Sequence, residues 1–555
     1  MSKERTPRQV SRREFVKGAA GVAGVAAVGA VASCVPLPAA TPAAPTPAPQ
    51  KWDKEADVVV VGSGMAALCA AVEAADAGAQ VLVLEKGFYP GGNSLLCGGN
   101  TVLGATHVQA RMKIEDHAEW WYEDQMAYGE HRAVPELMSV YTAKGGEFAL
   151  WFEQLGLVWA DVIGKQEDGR VPRGHRAAPS PNYAGGSPGY AGISQITVLV
   201  RAAEKRNVPI LLNHKMTRIL RPDLNGPVVG VEVDTPAGTI NIKARKAVVL
   251  GSGGWKSNVQ MRMAWDHRLD TNLGAGGLPY VNTTGDGIMA AVDIGAGITD
   301  MSYVCELRIK WGTHTYQLWE PPVLTTTPVG SGLGMGDYQR PIAVKNDGQR
   351  YVDETTAVIY PQHRFYDAFL NLREKSKNVW AVTDAEGAAA LKWSLAQFQN
   401  PQPKVLPCLY PDYVAVADSL QLLASKMGIP PASLEATVSR YNGFVDAGKD
   451  ADFGKPMPLY KISKPPFFGA KLFMLAHDQM GGLRANTRAQ VLERSDQVVA
   501  QGISIDEEKV IPHLYAAGEC VGGYVGVERG HGKVGVYGIW GRIAGQNAAR
   551  ETRLS

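Results

Sequence analysis

An α/β fold, in which a parallel sheet is interrupted by an inserted second domain, is what this 555-residue sequence predicts. Three observations carry the prediction. Residues 56–85, "ADVVVVGSGMAALCAAVEAADAGAQVLVLE", read as strand, glycine turn, alanine-rich helix and second strand. A further apolar strand runs into glycines in "KAVVLGSGGW" at 246–255. "LYAAGE" at 514–519 repeats that pattern near the C-terminus, while the stretch between lacks it. With 45% hydrophobic and 20% charged residues, the composition is that of a globular protein long enough for two domains.

The first fifty residues differ from the rest. They hold six bases and two acids, and without them 50 bases face 52 acids, a balance that gives no reason to expect nucleic-acid binding. "SRREFVKGAAGVAGVAAVGAVASC" combines Arg12 and Arg13 with Phe15, Lys17 and a weakly apolar run, and resembles a bacterial twin-arginine export signal over residues 1–34. The run is too weakly apolar for a permanent membrane span. Val31-Ala32-Ser33-Cys34 resembles a lipoprotein cleavage box with Cys34 as the lipid carrier, the alternative being a chance cysteine after an ordinary signal. Residues 35–54, Pro/Ala-rich to Gln50, then read as a tether. These features imply export to the periplasm or the outer face of the cytoplasmic membrane, with the lipid as sole membrane contact.

In the opening unit, Gly62 permits the turn, Gly64 lets a pyrophosphate approach the helix N-terminus beside Met65 and Ala66, and Ala67 allows close helix–strand packing. Glu85, ending the second strand, is placed to accept hydrogen bonds from a ribose. This is a Rossmann-like dinucleotide site. Cys69, Cys97, Cys305, Cys408 and Cys520 form no CxxC, haem-attachment or iron–sulfur spacing, and no metal-ligand set is evident. Redox chemistry here needs a bound organic cofactor and an external electron partner.

Further pieces follow in order: "KGFYPGGNSLLCGGN" at 86–100, "PRGHR" at 172–176, "TTGDG" at 283–287, "NDGQRYVDE" at 346–354 and "HDQMGGL" at 477–483. With the segments above, they resemble the flavoprotein family of fumarate reductases, succinate dehydrogenase flavoprotein subunits and 3-ketosteroid dehydrogenases. The resemblance implies a Rossmann-like FAD-binding domain, residues 55–300 and 465–555, with an inserted α+β capping domain, 301–464, and a substrate site between them. It implies FAD contacts at Gly62, Gly64, Met65, Ala66, Ala67, Glu85, Lys86, Gly92, Asn93, Ser94, Gly98, Gly99, Gly253, Gly254, Asp286, Gly518 and Glu519. Where the family links flavin covalently it uses a histidine in the segment matching Asn93–Cys97, which has none, so the FAD is expected to be noncovalent.

"GGYVGVERGHGKVGVYGIWGRIAG" at 522–545 is the loop expected to pass the flavin ring. Arg529 falls at the family's substrate-carboxylate arginine, with a local ion pair or solvent exposure as alternatives; Glu528 reads as solvated or paired, His531 as a substrate contact or a loop cap, and Lys533 as a surface residue. His477 matches the family's substrate-polarising histidine, a core histidine being the alternative. The fumarate reductases' proton-donating arginine corresponds to Val358, so fumarate itself is not expected as substrate. The nearest tyrosine is Tyr360, with His363 and Arg364 beyond it. Trp311, Tyr316 and Trp319 line an apolar pocket or pack in the cap core. The reading is an FAD-dependent oxidoreductase that forms or reduces a C=C bond next to a carbonyl or carboxyl group of a small molecule, coupled to a quinone or cytochrome. The alternative is a noncatalytic FAD-binding lipoprotein or electron-transfer flavoprotein.

Overall fold

The valine run ending at Val61 forms the middle of a sheet because β-branched side chains fit a strand buried on both faces, and Val58, Val59 and Val60 are fully buried. The computed structural model describes residues 44–554 apart from 165–168, 182, 184–190, 271–273, 276–282, 303, 306–307, 312–338, 358–362, 373–377, 397–413, 477, 496–503 and 527–532. The first sheet runs, in spatial order, Gln490–Leu492, Val510–Ala516, Gly238–Leu250, Lys54–Val61, Val81–Leu84 and Ile210–Leu211, parallel throughout except at the Gln490–Leu492 edge. Strand Gly238–Leu250 also carries an antiparallel ribbon made by Gly230–Thr235 and Lys215–Leu220.

Helix Met65–Asp76 covers this sheet and is crossed by the C-terminal helix Val534–Arg550. Their small residues bring backbone against backbone. A methyl group on Gly541 or Gly545 would lie 2.3 or 2.2 Å from the carbonyl oxygen of Ala66 or Ala70.

A second sheet has the order Arg308–Trp311, Phe467–Ala476, Trp380–Thr383 and Ile342–Val344, and Val414–Ala417 and Gly274–Ala275 also pair with Phe467–Ala476. Alternate residues of its strands enter two cores, one containing Ala381, Val414 and Phe365 and the other Trp380, Ala415 and Tyr441, as a period of two requires. After Phe467–Ala476 the chain passes through Asp478–Gln479, paired with Val304–Cys305, and Gly482–Leu483, paired with Ile298–Thr299. It then rejoins the first sheet at Gln490.

The motif at 346–354 stabilises the second sheet. Arg350 Nη2 lies 2.9 Å from Glu354 Oε2 and 3.0 Å from Asp450 Oδ2, and Lys455 Nζ lies 3.2 Å from Glu354 Oε2, all of them buried. Burial pushes the Glu354 carboxyl up, yet Lys455 and Arg350 together hold it below the usual glutamate value.

The end of the proline-rich stretch lies on the body. Ala44 N–H donates to Asp293 O, Thr46 N–H to Arg221 O, and Thr46 Oγ1 to Ile219 O at 2.8 Å. Among the described residues no helix is long and apolar enough to cross a membrane.

Candidate active site

Four parallel strands end side by side at Val61, Leu84, Leu250 and Ala516, and ligands of open α/β sheets bind beyond such carboxyl ends. Gly62 leaves the first strand at φ 99°, and a β-carbon there would meet Gly251 O at 2.4 Å. Only glycine satisfies both conditions. Gly64 caps helix Met65–Asp76, and Met65 N–H donates to Ser94 Oγ at 3.0 Å, so helix Gly92–Leu96 sits against the helix N-terminus. Ala67 takes the close contact expected of it, since a β-carbon on Gly251 would lie 2.7 Å from its own.

Glu85 is 5% exposed and holds the turn together. Its Oε2 accepts from Ser63 N–H at 3.1 Å and from the Ser63 hydroxyl, and its Oε1 accepts from Gly87 N–H at 2.7 Å. Lys86 and Asp286, named separately as cofactor contacts, meet each other at 2.7 Å, with Lys86 also donating to Thr284 Oγ1 at 2.7 Å. Burial raises the Asp286 carboxyl, but Lys86 and Thr284 hold it below its usual value. Asp286 is the first residue of helix Asp286–Asp293, where a negative charge favours the helix dipole.

Gly253 and Gly254 follow strand Gly238–Leu250, and Gly518 and Glu519 follow strand Val510–Ala516, while Gly99 O accepts from Gln195 Nε2 at 3.2 Å. Gln479 is 2% exposed, and among the described residues neither polar atom of its side chain has a hydrogen-bond partner. A β-carbon at Gly254 would sit 1.0 Å from Gln479 Nε2, so the amide lies directly over that glycine. Glu519 is 9% exposed; its buried Oε1 has no hydrogen-bond partner among the described residues and lies 3.8 Å from Lys256 Nζ. Buried polar groups are normally paired. Unmet amide and carboxylate atoms among glycines therefore fit a ligand with its own donors and acceptors, as the ribityl and ring of a flavin have.

Lys533 corrects an expectation. It is 7% exposed, with Nζ 3.5 Å from Met480 Sδ and its backbone bridged to Thr101. A lysine among glycines reads as solvated, but here it begins the buried C-terminal helix. "PRGHR" is held by ion pairs and by a short strand pairing. Arg173 pairs with Asp116 and Asp124 at 2.7 Å each, and strand Gly174–His175 pairs with Thr101–Val102. His175 lies 2.8 Å from both Thr106 Oγ1 and Arg173 O, and its burial lowers its pKa to about 4.

His477, Arg529, Tyr360, Glu528, His531, Tyr316 and Trp319 lie outside the described residues. His363 opens helix His363–Leu370, on which Arg364 is exposed while Phe365 and Phe369 enter the second core. Trp311 ends strand Arg308–Trp311.

Strand, glycine turn, helix and terminal acid define a dinucleotide-binding fold. The family model for the FAD binding domain matches residues 57–534, and the chain belongs to that family. It is 30% identical over 503 residues to a fumarate reductase (cytochrome) of Shewanella frigidimarina, covering 90% of this chain and 77% of the relative. A flavocytochrome c3 fumarate reductase structure superposes with a TM-score of 0.71 at 27% identity, covering 90% of this chain and 79% of that one. A 3-ketosteroid-Δ4-(5α)-dehydrogenase from Rhodococcus jostii, in complex with 4-androstene-3,17-dione, gives 0.65 at 25%, covering 91% and 100%. The protein is an FAD-dependent oxidoreductase acting on C=C bonds of small molecules.

Proposed function

We propose that the enzyme reduces or forms the C=C bond of a compound in which that bond is conjugated to a carbonyl or carboxyl group, with the substrate held between the two sheets. One observation carries this: Gln479 and Glu519 offer unmet buried polar atoms in a glycine-lined crevice beyond the strand ends. FAD, when bound, supplies hydride exchange at N5. Glu85 would meet its ribose, Gly64 and Met65 its pyrophosphate, and Glu519, Gly254 and Gln479 the ribityl and ring. The attachment is noncovalent, because Asn93–Cys97 contains no histidine.

Arg529 and His477 would grip and polarise the substrate oxygen, and the Tyr360 hydroxyl would move the proton on the carbon next to the one exchanging hydride. Supporting this, Gln479, two residues from His477, lies over Gly254 just beyond the end of a central strand. Residues 55–300 and 465–555 would form the flavin domain and 301–464 the cap. Electrons would pass to or from an external quinone or cytochrome, and a twin-arginine signal with a lipid on Cys34 would hold the enzyme outside the cytoplasmic membrane. Fumarate is not the proposed substrate, since Val358 stands where an arginine would be needed.

Stopped-flow flavin absorbance with a panel of cyclic enones, 3-ketosteroids and unsaturated acids tests the assignment. Arg529→Ala should keep FAD and lose most turnover. Tyr360→Phe should slow the flavin step about 10²–10⁴-fold at similar affinity. Normal turnover by Arg529→Ala would make the loop a cofactor wrap alone.

A further inference from the structure

Asp300 has no role in the reading above, yet it stands where separate stretches of the chain meet. It follows strand Ile298–Thr299, which pairs antiparallel with Gly482–Leu483. Its backbone is left-handed, with φ 57°, and it packs so closely on Gly481 that a β-carbon there would lie 2.4 Å from Met301 Cα and 2.5 Å from Asp300 O. The half-buried carboxylate accepts from the backbone N–H of Gly523 and from the Thr299 hydroxyl. Burial raises the carboxyl above its usual value, and the Gly523 N–H is the largest influence opposing that rise.

The carbonyl of Gly523 is held as well, by the turn Gly129–Val134. Val134 N–H donates to Gly523 O at 2.9 Å. A β-carbon on Gly129 would lie 2.5 Å from Val525 O, and one on Gly526 would lie 2.2 Å from Gly129 O, so the two backbones touch. Within this turn Glu130 and His131 both have positive φ, 53° and 54°. Consecutive non-glycine residues in that region persist only where their surroundings over-determine them. The Gly522 N–H in turn donates to Leu483 O at 3.0 Å, and the Leu483 N–H to Cys520 O at 2.8 Å.

The segments joined in this way lead to the two proposed substrate groups, since His477 lies four residues before Gly481 and Arg529 three residues after Gly526. We propose that Asp300 is a positioning residue: its carboxylate on the Gly523 N–H, with Val134 on the Gly523 carbonyl, fixes the loop leading to Arg529 against the segment following His477. The inference rests on the substrate reading of Arg529 and His477. Asp300 touches neither substrate nor flavin and acts through the loop.

The test compares flavin-loaded parent, Asp300→Ala and Asp300→Asn by hydrogen–deuterium exchange of peptides covering 520–526 and 477–483, by FAD titration, and by turnover of the enones, ketosteroids and unsaturated acids of the panel. Asp300→Ala leaves the Gly523 N–H without its acceptor. It should speed exchange in 520–526 and raise KM about tenfold or more, as the loss of one hydrogen bond to a charged group implies, while FAD affinity stays near the parent value. Asp300→Asn keeps an acceptor oxygen and should restore both exchange and KM. Val134→Pro removes the other hydrogen bond at a residue whose φ of −70° suits proline, and should act in the same direction; it carries the test if Asp300→Ala does not fold.

Parent-like exchange in 520–526 in the variants that lose either hydrogen bond would overturn the proposal. So would faster exchange with KM unchanged, since the brace would then have no bearing on substrate, and so would an Asp300→Asn no better than Asp300→Ala. A parent protein whose flavin responds to none of the compounds would sink the substrate reading, and this proposal with it, even where the exchange data show the brace.

Discussion

Replacing Glu85 should damage the protein before any cofactor is added. The carboxylate accepts two backbone N–H groups, from Ser63 and Gly87, as well as the Ser63 hydroxyl. In Glu85→Ala the hydroxyl can turn to another acceptor, but the two N–H groups lose theirs. An unsatisfied buried donor costs about 1–3 kcal/mol; this applies in full to the Ser63 N–H and only in part to the half-buried Gly87 N–H, so the expected loss is about 2–3 kcal/mol. Glu85→Gln keeps one acceptor oxygen but turns an amide NH₂ toward donors, and should lose an intermediate amount. Urea unfolding of the apoproteins measures this, and FAD titration of the same samples measures the ribose contact separately. Apo Glu85→Ala as stable as the parent would refute the reasoning, since the turn would not then depend on the carboxylate.

Three further outcomes follow from the structure. Gly62→Ala meets the Gly251 carbonyl at 2.4 Å with φ at 99°, and neither backbone can step aside, so it should cost several kcal/mol, on the scale of roughly 3–5 for severe point mutations; Gly254→Ala meets only the end of the Gln479 side chain and should spare thermal stability while weakening FAD binding, as melting curves and FAD titration will tell. His175, buried neutral with a pKa near 4 against an ordinary 6.5, contributes stability that is whole above about pH 6.5 and is lost as the pH falls toward 4, on the order of 3 kcal/mol in all. Replacing it with Gln should flatten that part of the stability profile, and an unchanged slope would remove His175 as its source.

The first strand, its turn and the acid after the second strand were legible because each depends on a local rule. Valine runs fit a buried strand, Gly62 has no substitute at positive φ, and Ala67 makes the expected close contact with Gly251. Lys533 was misread for the same reason. Gly530, His531 and Gly532 precede it in sequence, whereas it packs against Met480 and its backbone bridges to Thr101, which come from distant parts of the chain. Gln479 was invisible because an uncharged amide has no distinctive spacing, and its importance appears only when Gly254 is found beneath it. Glu354 carried a family landmark, but its buried partners Asp450 and Lys455 lie about a hundred residues away and could not be inferred from "RYVDE".

The central claim is that a bound flavin exchanges hydride with a conjugated C=C bond. The most direct measurement is the absorbance of the purified protein's flavin, reduced anaerobically with dithionite and mixed with the panel of enones, ketosteroids and unsaturated acids, with the oxidised protein mixed with their saturated counterparts in parallel. The account predicts that one conjugated compound restores the oxidised bands, or that its saturated counterpart bleaches them, within seconds and with the C=C bond altered in the product. A stable flavin spectrum that none of these compounds changes in either direction, while a one-electron carrier does, would contradict it and leave an electron-transfer flavoprotein.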